Sequence, residues 1–360
     1  MIIGLVLYGG IDALSGGTQY DRKLVEYLTA QGDQVVILSL PDHGYLLNRW
    51  DDLRGEAVRP LEMAACDLLL IDELVHPSLA MSARLLRKRT KRPVVALVHH
   101  LRSDEPRAPI LNAWYRRIER RFLNSVDAVW SNTGVTQSRV ENLLGRTLPT
   151  VVAPPGVMID PSLAGEAVER RLREPDEPFR LLLVGNMIAR KGVETLLQAL
   201  EQVGSLDWQL TLVGRTDMEP GYVRRIRDRI ARNSWQERVR ITGPLEGPEL
   251  AREYQQAHLF VMPSTYEGFG IAYLEAMAFG LPVIASRAGG AVEVVREAEN
   301  GFLVPPFDPR GVARRIQQVA GDETLRLQLA EGAEQTWKAH PSWETSFVKG
   351  QEFLAGLVAK

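Results

Sequence analysis

Short apolar runs recur along the chain, and the segments between them have the spacing of amphipathic helices. The first half offers Ile2–Tyr8, Gln34–Ser39, Asp67–Ile71, Pro93–Val98, Val126–Ser131 and Thr150–Ala153. The second half offers Arg180–Val184, Gln209–Val213, Val239–Thr242, Leu259–Met262, Pro282–Ala285 and Phe302–Val304. These runs are rich in Val, Ile and Leu on both faces, which is how buried parallel strands read. Helical patterning lies between them, as in Thr195–Leu200 and Glu249–Tyr254. Strand and helix in alternation predict parallel sheets covered on both faces, and six strands per half predict two doubly wound α/β domains. The periodicity lapses over 154–178, where five prolines and many charges read as a linker. The expected organisation is a first domain over 1–160, a linker over 161–178 and a second domain over 179–343. Helical pattern runs from Pro309 to about Lys338, breaks at Pro341-Ser-Trp, and ends in a last helix over 344–360.

Composition narrows the picture. The 360 residues are 45% hydrophobic and 24% charged, the profile of a globular protein. The net charge of −2 gives the chain as a whole no attraction to nucleic acid. A single cysteine, Cys66, supports neither an internal disulfide nor a cysteine metal site. The start MIIGLVLYGG has no basic n-region, and no stretch approaches 18 apolar residues, so a cytoplasmic protein is expected. Charge is uneven, however. Residues 1–75 hold five basic and twelve acidic side chains, and residues 84–121 hold twelve basic and three acidic. Within the second stretch, Trp114–Leu123 places apolar residues on one helix face and arginines on the other. Such a helix either packs on a core with a solvated basic side or meets an anionic surface or substrate.

Four stretches carry candidate chemistry. Gly9-Gly10 through Gly16-Gly17 follows the first strand. It is either a tight turn or a loop whose backbone N–H groups approach an anion. It is not G-x-G-x-x-G, which weakens a dinucleotide-binding dehydrogenase reading. His99 and His100 end the fourth strand, where open α/β sheets bind ligands; alternation lets at most one point there. Gly185-Asn186 through Arg190-Lys191-Gly192 is a strand, loop and helix start whose cations are either solvated or able to neutralise a diphosphate. The strongest stretch is Pro263–Pro282. Glu267 stands in a glycine-rich turn, and Glu275, eight residues on, lies in an otherwise apolar helix over Ile271–Phe279. A carboxylate there needs a partner or a ligand, and vicinal sugar hydroxyls suit it. Gly268 and Gly270 leave the backbone at that helix start open to an anion.

Glu267-x7-Glu275 within PSTYEGFGIAYLEAMAFGLPVIAS, with Gly289-Gly290-Ala-Val-Glu293 and Asn300-Gly301-Phe-Leu-Val-Pro, resembles the group 1 (family four) retaining glycosyltransferases. VGNMIARKG resembles that family's Gly-Arg-(x)n-Lys-Gly loop, and the first glycine-rich loop and His99 fall where the family has its own. The resemblance implies the GT-B fold: two Rossmann-like domains facing across a cleft, with a nucleotide-sugar donor domain at 179–343 and an acceptor-side domain completed by the last helix. It implies that Glu275 holds the donor ribose and that Glu267 contacts the transferred sugar, with Phe269, Gly270 and Ile271 offering backbone N–H groups. By the same likeness Lys191 binds the diphosphate, His99 meets the sugar and its developing positive centre, and Gly16 and Gly17 approach phosphate or acceptor. Asn186 departs from the family's arginine, and Arg190 is the candidate replacement. Asp72, Glu73, His100 and Arg102 are acceptor-side candidates.

The implied reaction moves a hexose from a nucleoside diphosphate sugar to an acceptor hydroxyl with retention. The chain has no Asp-x-Asp, so no metal or other cofactor is expected. Two alternatives stand beside it: a degenerate nucleotide-sugar-binding partner subunit, motivated by Asn186, and a GT-B nucleotide-sugar epimerase or hydrolase. The basic segment points to an anionic or lipid-linked acceptor and peripheral membrane contact.

Overall fold

The computed structural model describes residues 1–11, 16–165 and 177–359. Residues 12–15 of the first glycine-rich loop, and 166–176 of the expected linker, lie outside the described residues. The chain divides into two compact units, one made of Met1–Pro155 with Pro341–Lys360 and the other of Gly156–His340. The division falls before Gly156 rather than at residue 160. The segment after Pro155 is tied to the second unit: Met158 donates its N–H to Glu275, and Gln255 donates to the Leu163 carbonyl.

In the first unit the strands are β1 (Ile2–Tyr8), β2 (Gln34–Leu40), β3 (Leu68–Asp72), β4 (Val94–Val98), β5 (Ala128–Ser131) and β6 (Thr150–Val152). They form one sheet in the order β2-β1-β3-β4-β5-β6. In the second unit they are β7 (Phe179–Val184), β8 (Trp208–Val213), β9 (Val239–Gly243), β10 (Leu259–Met262), β11 (Val283–Ser286) and β12 (Gly301–Val304). Their order is β12-β11-β10-β7-β8-β9. Every recorded strand pairing is parallel. Every residue of β3, β4, β5, β10 and β11 is buried, which is why these strands read as unbroken apolar runs.

Each order reverses direction once, between β1 and β3 in the first sheet and between β7 and β10 in the second. Ligands of open α/β sheets bind beyond the carboxyl ends of the strands at such a point. The segments leaving β7 and β10 are those that carry Lys191 and Glu267. The segments leaving β1 and β4 carry Gly16 and His99, and Asp72 is the last residue of β3.

The helical stretch expected over 309–338 is two helices, Pro309–Gly321 and Glu323–Ala339. Asp322 ends the first and caps the second, its carboxylate accepting from Leu325 N. The last helix, Trp343–Val358, belongs to the first unit, where its Phe347 ring meets those of Tyr20 and Trp130.

Candidate active-site loops

In the second unit, backbone fit joins the two switch-point segments. Gly192 has φ 74°, and a Cβ there would lie 2.1 Å from the Pro263 carbonyl oxygen. Thr265 N–H donates to the Arg190 carbonyl at 2.8 Å. Only glycine allows that approach, and it sets Arg190 and Lys191 beside the turn holding Glu267. The Glu267 Oε1 atom accepts from Lys191 Nζ at 2.9 Å and from Arg190 Nη1 at 3.1 Å. Arg190 Nη1 also donates to the Tyr266 carbonyl at 2.7 Å. Behind the turn, Gly290 N–H donates to the Glu267 carbonyl at 2.8 Å. A Cβ on Gly289 would sit 1.9 Å from that same oxygen.

Burial alone would raise the Glu267 pKa, but Lys191 and Arg190 outweigh it and hold the carboxyl down at about 2. Burial draws the Lys191 ammonium below its ordinary value, with Glu267 opposing. Two cations and one buried carboxylate thus share a small volume with one positive charge in excess, a composition suited to an anionic ligand.

The turn ends at Gly270, whose φ of 93° is left-handed, and the helix Ile271–Ala278 starts there without a side-chain cap. Phe269 is buried, its ring 5.5 Å from that of His340. One helical turn in, the Glu275 carboxylate accepts from Tyr254 Oη at 2.9 Å and from Met158 N at 3.2 Å. Burial raises its pKa, with hydrogen bonds from Tyr254 and from the backbone at Met158 and Ile159 opposing. Its protein partners are therefore a tyrosine and backbone amides from a distant segment, none legible from the local sequence. Asn186 lies in the turn after β7, its carbonyl accepting from Ile188 N at 2.8 Å.

In the first unit the helix Gly16–Ala30 begins at Gly16, and a Cβ on Gly17 would meet the His99 ring at 3.1 Å. His99 Nε2 lies 3.0 Å from the Asp21 carboxylate. Burial disfavours its charge, but Asp21, and then Asp72, raise its pKa to about 9. His99 is thus an imidazolium at neutral pH. Burial and the Asp21 charge raise Asp72 to about 7. Asp21 was not singled out from sequence; its signal is an acid on the same helix face as the buried Leu24 and Leu28. His100 turns instead to Glu105, at 3.0 Å. The Arg102 guanidinium lies 5.2 Å from the Tyr45 ring centre and 5.1 Å from that of Tyr115.

Glu73 is buried, in a cluster with His76 and Glu119. Among the described residues, two groups bring potential metal-ligand atoms within 4.8 Å of one another: Asp21, Asp72 and His99, and Glu73, His76 and Glu119. In both, hydrogen bonds engage the imidazole. His99 is charged, and burial lowers His76 to about 4, leaving it neutral between the Glu73 carbonyl at 2.7 Å and Tyr45 Oη at 2.8 Å.

Burial lifts both Glu73 and Glu119 from 4.5 to about 7. Over that interval the folded protein holds protons that the unfolded chain has released, so these acids cost stability as pH rises from about 4.5 to about 7. Glu119→Gln keeps an oxygen to accept from Ser103 N–H. It is expected to gain about 1 kcal/mol or more relative to wild type at pH 8 and little at pH 5, measured by urea unfolding. An equal loss at both values would contradict the burial argument.

Comparison with known proteins fits this geometry. A family model described as Glycosyl transferases group 1 matches residues 166–336, and one described as Glycosyltransferase Family 4 matches 14–160. The D-inositol 3-phosphate glycosyltransferase of Xylanimonas cellulosilytica is 31% identical over 224 residues, 60% of this chain and 54% of that protein. The chain thus spans about half that relative's length. The GDP-mannose-dependent alpha-(1-6)-phosphatidylinositol monomannoside mannosyltransferase of Mycolicibacterium smegmatis is 26% identical, covering 77% of this chain and 74% of that protein. Sucrose-phosphate synthase from Thermosynechococcus elongatus shares the fold, with a TM-score of 0.84 at 24% identity and 99% of both chains covered. The fold is GT-B, built of two Rossmann-like domains. The two family models between them span most of the sequence, and the chain belongs to the group 1 glycosyltransferases.

Proposed function

We propose that this chain transfers a hexose from a nucleoside diphosphate sugar to an acceptor hydroxyl with retained anomeric configuration and without a metal. The observation that carries the reading is the meeting of Lys191, Arg190 and Glu267 at the β7/β10 switch point, next to the uncapped start of the helix that bears Glu275. In this scheme Lys191 and Arg190 stabilise the leaving diphosphate, together with the N–H groups of Phe269, Gly270 and Ile271. Glu275 accepts from the ribose hydroxyls and Glu267 from the sugar. The acceptor attacks the face the diphosphate leaves, and a phosphate oxygen takes its proton. His99, held as an imidazolium with Nε2 on Asp21, offers a donor at Nδ1. A sugar hydroxyl or phosphate oxygen suits that donor better than the cationic centre expected from sequence. The names of both relatives contain a phosphorylated compound, which supports an anionic acceptor here.

The test is thermal-shift or calorimetric binding to UDP, GDP, ADP and CDP, free and sugar-linked, with EDTA present. Binding of one nucleotide family is expected, and Glu275→Gln should weaken it about tenfold or more through the lost charge-assisted bonds to ribose. Asn186 favours a second reading, a partner subunit that binds donor without turnover. Binding with no transfer or hydrolysis would select it, and binding to none of the nucleotides would reject the donor-site reading.

A further inference from the structure

The helix Tyr45–Arg54 is built inside out. Its buried side chains are Asn48 and Asp52, both polar, while Leu46, Leu47, Trp50 and Leu53 are 55–67% exposed. These four sit at i, i+1, i+4 and i+7, one stripe along the helix. Polar anchors hold the inner face. Asp52 accepts from Met81 N at 2.8 Å, Ser82 N at 3.0 Å and Ser82 Oγ at 2.6 Å. Asn48 accepts from His43 N at 2.9 Å and donates to Asp42 at 2.8 Å. The helix thus has its inner side fixed and its apolar side outward. Three leucines and a tryptophan on one outward stripe exceed the singly scattered apolar residues of an ordinary surface.

What lies next to the stripe identifies its partner. Tyr45, the first residue of the helix, packs on Trp114 and Tyr115 with ring centres 5.0 and 4.7 Å away. Those two belong to the helix Pro109–Leu123, whose first turn exposes Ile110 and Leu111 and whose later turns expose Arg116, Arg117, Arg120 and Arg121. Exposed leucines, an exposed tryptophan and an arginine-rich helix beside them fit a surface that is apolar beneath an anionic layer. Tryptophan favours the headgroup level of a bilayer, and guanidinium groups meet lipid phosphates.

We propose that the Tyr45–Arg54 stripe, with the adjoining basic helix, docks this unit on an anionic lipid bilayer. The apolar side chains enter the headgroup–acyl boundary and the four arginines pair with anionic headgroups. The proposal is independent of the transfer reading, since docking needs neither donor nor turnover.

The full-length chain would be tested by co-sedimentation with phosphatidylcholine vesicles and with mixed phosphatidylcholine–phosphatidylglycerol vesicles. Binding is expected only to the mixed vesicles, weakening as salt rises. Leu47→Ser/Trp50→Ser should lower it about tenfold or more at all salt concentrations. Arg116→Ser/Arg117→Ser should lower it similarly at low salt and flatten the salt dependence. All four positions are exposed, so circular dichroism and melting temperature should match wild type; a pair that fails to fold is replaced by Leu46→Ser/Leu53→Ser or by Arg120→Ser/Arg121→Ser. No binding to mixed vesicles, or binding that the stripe variants leave unchanged, overturns the proposal. So does a dimer in solution that Leu47→Ser/Trp50→Ser dissolves, which would give the stripe to a second copy.

Discussion

Lys191→Ala is expected to lower transfer at least ~10²-fold with little change in melting temperature. The ammonium is 2.9 Å from Glu267 and its side chain is 15% exposed, so it reaches solvent beside the buried carboxylate. The variant keeps Arg190 on the carboxylate at 3.1 Å, so Glu267 is not left as an unpaired buried charge. Gly192 and its contact with Pro263 also remain, and with them the loop. What disappears is a cation placed where negative charge develops on a departing diphosphate, the kind of group whose removal lowers turnover more than binding. Two measurements separate this from a structural loss. In the variant, kcat should fall more than KM for the donor rises. Glu267, relieved of the nearer cation, should titrate higher, moving the acid limb of the pH profile to higher pH. Wild-type turnover in a folded Lys191→Ala protein would remove Lys191 from the mechanism.

Gly350→Val is expected to be the most damaging single change in the first unit. Gly350 lies in the last helix, and a Cβ there would sit 1.9 Å from one Trp130 ring atom and within 2.5 Å of two more. The indole cannot retreat. Trp130 is fully buried, its Nε1 donates to Tyr20 Oη at 2.7 Å, and that hydroxyl donates to the Ala153 carbonyl at 2.7 Å. Seating the branched side chain means displacing the helix or breaking this relay. Either costs on the order of 3 kcal/mol or more. Gly356, in the same helix, has nothing within 4 Å of its Cβ direction. Gly356→Ala should instead stabilise by up to about 1 kcal/mol through helix propensity. Equilibrium unfolding of the two variants tests the seating of the helix. Equal effects would mean that it does not rest on Trp130.

Much of the architecture was written locally. A parallel strand covered on both faces is apolar along most of its length, so the central strands appeared as runs in the sequence, and most strands were placed within a residue of their observed ends. Glu275 was visible for the opposite reason, as a carboxylate in a helix otherwise apolar. The pairing of Lys191 with Glu267, 76 residues apart, depended on the parallel crossover that sets β10 beside β7. No local pattern states which strands become neighbours.

Tertiary structure alone decided the partners of the buried polar groups. Asp21 lies 78 residues from the His99 it charges, and Met158 lies 117 from the Glu275 it caps. The helix Tyr45–Arg54 shows the limit most clearly. Leu46, Leu47, Trp50 and Leu53 form one apolar stripe by spacing alone, yet the helix is held by Asn48 and Asp52 and turns that stripe outward. Hydrophobic spacing determines that a helix has an apolar face. Which face the fold covers depends on the hydrogen bonds that distant segments, here Met81 and Ser82, offer to the other side.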